Sequence, residues 1–284
     1  MVMKMNDVYL SIIIPTLGRK DEVRALLNSI ENTKIDCTYE VLVIDQNEDG
    51  LLDELCEEYK NDLNLTQHKV LFKGLSKAKN FGIDHANGEV LCFPDDDAEM
   101  CSDTVYTALK VLKEKDVECV FGKCVDKQTN EDSVMRFKKQ EQLLTIDNFE
   151  GAFVEATMFA KKFVFAEHRY DEKLGVGSIF GSQEGYDLVY RMLNDDKKLF
   201  FSPEIVFYHP QKVATKSTEG EVRRAFYYSC GFGYLCKKHG FVKKYKKRLW
   251  MLRFGIPVIA VIRHKELKYF KAQLMGLELG YCYL

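Results

Sequence analysis

The sequence predicts an α/β fold, a sheet with helices packed on both faces, and two observations carry that prediction. Strand and helix signals alternate through the first 125 residues, the pattern of a chain that crosses repeatedly from sheet to covering helix. The segments "SIII" and "VLVI" are apolar throughout, as strands are when both faces of their sheet are covered.

Taken in order, "YLSIII" (9–14) is a β-rich run ending at Pro15, and "DEVRALLNSI" (21–30) sets apolar residues at helical spacing. "YEVLVID" (39–45) is the second strand and "LLDELCEEY" (51–59) the second helix. "LTQHKVLF" supplies a third strand, "SKAKNFGIDHA" a third helix, and "EVLCF" a fourth strand. "SDTVYTALKVLKEK" is a fourth helix with Ser102 or Asp103 as its cap, and "ECVFGKCV" closes the run. After Asp126 the rhythm changes. "DKQTNEDSVMRFKKQEQ" is a polar loop, "EATMFA" a strand, "LGVGSIFGSQEG" a Gly-rich stretch and "YDLVYRMLND" a helix, followed by two short strands, "KLFFS" and "IVFYH". No internal repeat and no low-complexity linker interrupts the chain.

Composition narrows the class. With 46% hydrophobic and 30% charged residues, the 284-residue chain reads as an ordinary globular protein, and a net charge of -2 argues against wholesale nucleic-acid binding. The average hides an asymmetry: between Lys237 and Lys271 stand twelve Lys or Arg and one acid, Glu266. The nine cysteines are scattered, odd in number and free of any Cys-x-x-Cys pair, which disfavours a zinc ribbon or a disulfide scaffold. Several lie within apolar runs, as buried reduced thiols do. The opening "MVMKMNDVYL" has too short an apolar stretch for a signal peptide, so a cytoplasmic location is expected. The longest nearly uncharged apolar run, "FGIPVIAVI", falls far short of the ~20 residues that span a bilayer.

In open parallel sheets, ligands bind beyond the carboxyl ends of the strands. Three polar signals stand at such ends: "PTLGR" (15–19), Asp45 in "IDQNEDG", and Asp95, Asp96 and Asp97 in "FPDDDAEM". A Gly-led turn with cations, "KGLSKAKN" (73–80), precedes the fourth strand. Each has a plain structural reading. Carboxylates cap turns and helices, Lys79 and Lys77 suit a solvated helix face, and a His at a strand end is an ordinary hydrogen-bonding residue. Three adjacent carboxylates nevertheless repel, so they share protons or hold a cation. The glycine patterns of a dinucleotide fold and of a P-loop are both absent.

In this order and spacing the segments resemble a family 2 glycosyltransferase of the GT-A fold. The resemblance runs from about residue 9 to 240 and rests on "SIIIPTLGR", "VLVIDQNEDG", "GLSKAKNFGIDHANGEVLCFPDDD", "GVGSIFGSQEGYDLVYRML" and "PEIVFYHP". It implies a Rossmann-like, mixed, mostly parallel sheet flanked by helices, with a helical, basic C-terminal extension. The expected domains are a catalytic domain over 1–220, its nucleotide-binding half about 1–125 and its acceptor half about 126–220, and the extension over 221–284.

The resemblance also implies roles. A nucleoside-diphosphate sugar, UDP-linked by expectation, is the donor. Asp45 contacts its base or ribose, and Pro15, Thr16 and Arg19 line the same pocket. Lys79, where the family more often has Arg, pairs with the diphosphate, and Asp95 and Asp96 border the nucleotide. Asp95 and Asp97 hold Mg²⁺ or Mn²⁺, completed by His209. The family's acidic pair opening a helix supplies the base, but here Glu184 is followed by Gly185 where the second acid would stand. Glu184 is favoured over Asp187, for which a helical pairing with Arg191 is the alternative, and capping remains the plain reading of Glu184. The expected product class is hexosyl or N-acetylhexosaminyl transfer, with inversion, to a saccharide or lipid-linked saccharide of the cell surface. Two other readings stand beside it: a sugar-phosphate nucleotidyltransferase, and a non-catalytic sugar-nucleotide-binding scaffold.

The tail has two readings. Basic clusters flank an apolar segment containing Trp250, which suits peripheral contact with the anionic inner face of a membrane. It equally suits a helical cap with a solvated basic face. No nucleic-acid motif accompanies the charge.

Overall fold

The computed structural model describes residues 8–211 and 215–283. Residues 1–7, most of the stretch read above for a leader, lie outside them. The chain forms two compact units. Among the described residues the first unit comprises 8–73, 77–169 and 188–211, and the second 74–76, 170–187 and 215–283.

The first unit opens with β1 (Leu10–Thr16), α1 (Lys20–Glu31), β2 (Tyr39–Asp45), α2 (Asp53–Tyr59), β3 (Leu65–Lys69), α3 (Leu75–His85) and β4 (Val90–Cys92). It continues with β5 (Glu99–Met100), α4 (Thr104–Glu114), β6 (Cys119–Val125), β7 (Gln142–Leu144), β8 (Phe159–Lys161), α5 (Glu184–Asn194), whose first four residues belong to the second unit, and β9 (Leu199–Tyr208). The sheet order is β3-β2-β1-β4-β8-β6-β9-β5, with β7 also paired to β9. The longer ladders are parallel: β1 runs beside β2 from Leu10↔Tyr39 to Thr16↔Asp45, and β6 runs beside β9. The antiparallel ladders, β8 with β4 and β6, and β5 and β7 with β9, are two or three residues long.

The apolar runs become the core for the expected reason. Every residue of β1 is buried. On one face Ile12, Ile14, Val41 and Val43 pack with Val23, Leu26 and Leu27 of α1 and with Val105 and Leu112 of α4. On the other, Ile13 lies so close to α3 that a Cβ on Gly82 would stand 2.3 Å from its Cγ2. A glycine there lets helix and strand approach closely.

The short strands β5 and β7 have no counterpart in the sequence reading, and two element assignments change. Of "EATMFA" only Phe159 and Ala160 are strand, the start of β8, and Glu155–Thr157 forms a 3₁₀ turn. "KLFFS" and "IVFYH" are one ten-residue strand, β9, running through Pro203. Proline cannot donate to a ladder and is tolerated at an irregularity. Here the β6–β9 register shifts between Phe121 and Lys123, opposite the proline, and Gly122 admits the Ile205 carbonyl, which would lie 2.2 Å from any Cβ.

The second unit contains α6 (Glu219–Lys238), α7 (Val242–Ile262) and α8 (Leu267–Cys282). Thr218 caps α6, its hydroxyl accepting from the Glu221 amide. Glycines bring α6 and α8 together. A Cβ on Gly276 would stand 2.2 Å from the Phe226 carbonyl oxygen, and one on Gly280 2.0 Å from that of Cys230. All nine cysteines are free thiols, six of them buried. Burial pushes the Cys56 and Cys124 thiols up to about 12, which suits inert packing groups.

Gly280→Ala therefore overpacks the α6–α8 contact and costs about 1–3 kcal/mol, read as a lower thermal midpoint. Gly220→Ala, with open space around its Cβ position, leaves the midpoint unchanged or raises it.

Candidate active site

The end of β4 turns back on itself. The Ala98 amide donates to the Asp95 carbonyl at 3.0 Å, and the chain then enters β5. β5 pairs antiparallel with the end of β9 through Glu99↔Tyr208, so the residue after β9, His209, arrives beside the acidic turn. Asp95, Asp97 and His209 each present a ligand atom, all within 4.8 Å of one another. His209 Nε2 is 3.3 Å from Asp97 Oδ1 and 3.9 Å from Asp95 Oδ2. Its Nδ1 lies 3.0 Å from the Pro210 carbonyl oxygen, which can only accept, so Nδ1 carries a proton and Nε2 is turned to the carboxylates.

Arg19, at the N-cap position of α1, reaches the same turn. Its Nη1 is 2.9 Å from Asp96 Oδ1 and 2.7 Å from Asp97 Oδ2. The triplet thus divides: Asp95 and Asp97 meet His209, while Asp96 is turned to Arg19. Burial raises Asp96 to about 6, with Arg19 and the Thr16 hydroxyl opposing and the charges of Asp97 and Asp95 adding. Loss of hydration raises Asp95, opposed by Lys79 and reinforced by Glu155. For His209, loss of hydration lowers the imidazole, but the hydrogen bond and charge of Asp97 outweigh it and leave the group raised. Two carboxylates and one imidazole nitrogen form a donor set that fits a divalent cation of the Mg²⁺ or Mn²⁺ type.

Pro15 and Thr16 end β1 and are buried, with Thr16 opposite Asp45 in the register. Asp45 is fully buried. Its Oδ1 accepts from the Asn47 amide at 2.9 Å and from Asn47 Nδ2 at 2.7 Å, and its Oδ2 accepts from Gln67 Nε2 at 2.7 Å. Asn47 Oδ1 in turn accepts from the Gly18 amide at 2.7 Å. Asp45 therefore ties the turn after β2 to the loop after β1, a local use of a short carboxylate.

Lys79 is 1% exposed, and its ammonium lies 2.7 and 2.6 Å from the two oxygens of Glu155. Glu155 escaped the sequence reading. A lysine flanked by Ala78 and Asn80, all three buried, demands a counter-charge, but nothing in the sequence says which acid supplies it.

In the second unit, Glu184 opens α5 and is half-buried. Asp187 is fully buried, and its Oδ1 lies 2.7 Å from both Lys238 Nζ and His239 Nε2. Lys238 also reaches Asp171 at 2.6 Å. These partners come from the far end of α6 and its C-cap, more than 50 positions on in sequence. The Arg191 guanidinium donates to the Arg169 carbonyl at 2.6 Å.

Known proteins resemble the chain at two levels. In sequence it is 27% identical over 175 residues to a Campylobacter jejuni GalNAc(5)-diNAcBac-PP-undecaprenol beta-1,3-glucosyltransferase, covering 58% of this chain and 55% of that protein. It is 30% identical over 107 residues to Staphylococcus aureus poly(ribitol-phosphate) beta-N-acetylglucosaminyltransferase TarS, covering 37% of this chain and 19% of that one. The match thus spans about half of the first relative and a fifth of the second. In structure it is similar to S. aureus TarS 1-349 in complex with UDP-GlcNAc, with a TM-score of 0.62 and 17% identity, covering 96% of this chain and 90% of that one. It is also similar to the mannosyltransferase PcManGT of Pyrobaculum calidifontis in complex with GDP-Man and Mn²⁺, with a TM-score of 0.64 and 16% identity, covering 96% and 88%. At these identities the structural likeness is one of fold, and the fold is GT-A.

The buried ion pair yields a test. Glu155→Ala removes the carboxylate held 2.6–2.7 Å from the buried Lys79 ammonium and costs about 3–5 kcal/mol in denaturant unfolding, most of it recovered by the double variant Glu155→Ala/Lys79→Met. The family model for glycosyl transferase family 2 matches residues 11–173, more than half of the chain and the same strand ends that build the acidic turn, and the chain belongs to that family.

Proposed function

We propose that the protein transfers a sugar, with inversion, from a nucleoside-diphosphate sugar to a saccharide or lipid-linked saccharide acceptor during cell-surface polysaccharide synthesis. The observation that carries this reading is the meeting of Asp95, Asp97 and His209 at the strand ends of a family 2 chain. UDP is the favoured nucleotide, because TarS is similar in both sequence and fold and its structure holds UDP-GlcNAc. The acceptor class follows from relatives whose names specify poly(ribitol-phosphate) and an undecaprenol-linked saccharide.

Each residue then has a task. Asp95, Asp97 and His209 would hold Mg²⁺ or Mn²⁺, which when bound neutralises charge developing on the departing diphosphate. Arg19 presents a planar guanidinium beside the same turn, the geometry that grips phosphate oxygens. Asp45, through Asn47, fixes the β1 loop and with Pro15 and Thr16 shapes the wall that meets the nucleoside. Lys79, enclosed with Glu155, acts on Asp95 by its charge. Glu184 takes the proton from the acceptor hydroxyl. Between the two candidate acids it is the better base, because Asp187 is enclosed and already held by the Lys238 ammonium and the His239 ring.

A lipid-linked acceptor lies at a membrane, and we assign the basic tail to its inner face, with the protein peripheral and cytoplasmic. No helix among the described residues is long and apolar enough to cross a membrane.

Two substitutions test this reading. Asp97→Ala abolishes Mn²⁺-dependent binding of UDP, measured by calorimetry, and turnover with it. Wild-type protein that fails to bind UDP with either cation rules out a UDP donor. Glu184→Gln lowers turnover about 10²–10⁴-fold while donor binding persists, and unchanged turnover removes Glu184 as the base.

A further inference from the structure

We infer that α7 is a docking surface for an anionic lipid bilayer, lying in the plane of the headgroups with one face in the acyl boundary. The inference deepens the membrane-side reading above by naming the element and the lipid chemistry.

From Trp250 to Ile262 the helix carries a single charge, Arg253, and Leu252 is the one buried side chain of α7. Trp250, Phe254, Val258 and Val261 are 59%, 64%, 56% and 81% exposed. At ~100° per residue these four fall within about 80° of the helix circumference, with Leu252 on the opposite side. Trp250 and Phe254 stack at 4.8 Å, so the stripe is continuous at its start. The exposed Lys243 and Lys247 continue the same face upstream of Trp250, and the exposed Arg263, His264 and Lys265 follow it. Lys243, Lys246, Lys247 and Lys265 have no ion pair among the described residues.

Charge and length choose the occupant. Thirteen helical residues extend only about 18 Å, against a hydrocarbon core of ~30 Å, so the segment cannot cross. A contiguous apolar stripe of this kind marks a contact surface, and in-plane helices combine such a stripe with cations. A second copy fits poorly: paired in either direction, two such stripes bring cation-rich ends against cation-rich ends. An anionic bilayer satisfies both features, because phosphate headgroups meet the lysines while long side chains snorkel and the stripe enters the acyl boundary.

Trp250 is the only tryptophan of the chain, so its fluorescence reports the stripe directly. The full chain is mixed with vesicles of phosphatidylcholine and phosphatidylglycerol, and separately with pure phosphatidylcholine vesicles. Co-sedimentation at least about tenfold stronger on the mixed vesicles is expected, with a blue shift of Trp250 emission and quenching by brominated acyl chains. Phe254→Asp/Val258→Asp, both exposed positions, loses sedimentation and shift while helical circular dichroism and Mn²⁺-dependent UDP binding persist. The inference is overturned if neither vesicle binds, if sedimentation occurs without the Trp250 shift, or if the double variant binds as well as wild type. It is also overturned if the variant disperses a dimer seen by light scattering and vesicles do not bind. Absent vesicle binding with intact UDP binding overturns this inference alone. Vesicle binding without UDP binding supports it and removes the UDP reading.

Discussion

Three carboxylates crowded at the end of β4 repel one another, and much of the first unit is arranged around that repulsion. Arg19 lies against two of them, His209 against the other pairing, and the Lys79–Glu155 pair acts on Asp95 from within the core. Burial is the main reason that Asp95 and Asp96 are raised, and the charges of the neighbouring carboxylates add to it. A divalent cation is the natural partner of such a turn, because it supplies concentrated positive charge at the point where the carboxylates converge.

The sheet makes the convergence possible. Parallel strands bring their carboxyl ends to one edge, which is why Thr16 and Asp45 are register partners. His209 reaches the acidic turn by a different route, the two-residue antiparallel strand β5 pairing with the end of β9. A short strand with little stability of its own thereby fixes the meeting of residues more than 110 positions apart in sequence. Pro203 and Gly122 accommodate the bulge that lets β9 run on to deliver His209.

Apart from the two-residue β5, the strands and helices of the first 125 residues were legible because each advertises itself by local periodicity, and a strand buried on both faces needs only an apolar run. The legibility failed where pairing overrode propensity. Pro203 breaks the local strand signal, yet the register shift absorbs it. "EATMFA" has the composition of a strand, yet most of it turns so that Glu155 can face Lys79. The candidate residues Asp95, Asp97 and His209 were named from motif order, whereas Glu155, Asn47 and Gln67 carry no local mark and are found only by following hydrogen bonds and charge.

By itself the sequence determined the α/β class, the acidic turn, the basic tail and the resemblance to a glycosyltransferase family, since all of these are properties of composition, period and order. Tertiary structure decided which charges meet. It placed Lys79 inside the protein against Glu155, enclosed Asp45 with Asn47 and Gln67, and set Asp187 against Lys238 and His239. The physical reason is that an ionisable side chain is defined by its neighbours: burial and counter-charge come from elements distant in sequence, and only the folded chain brings them within a few ångströms.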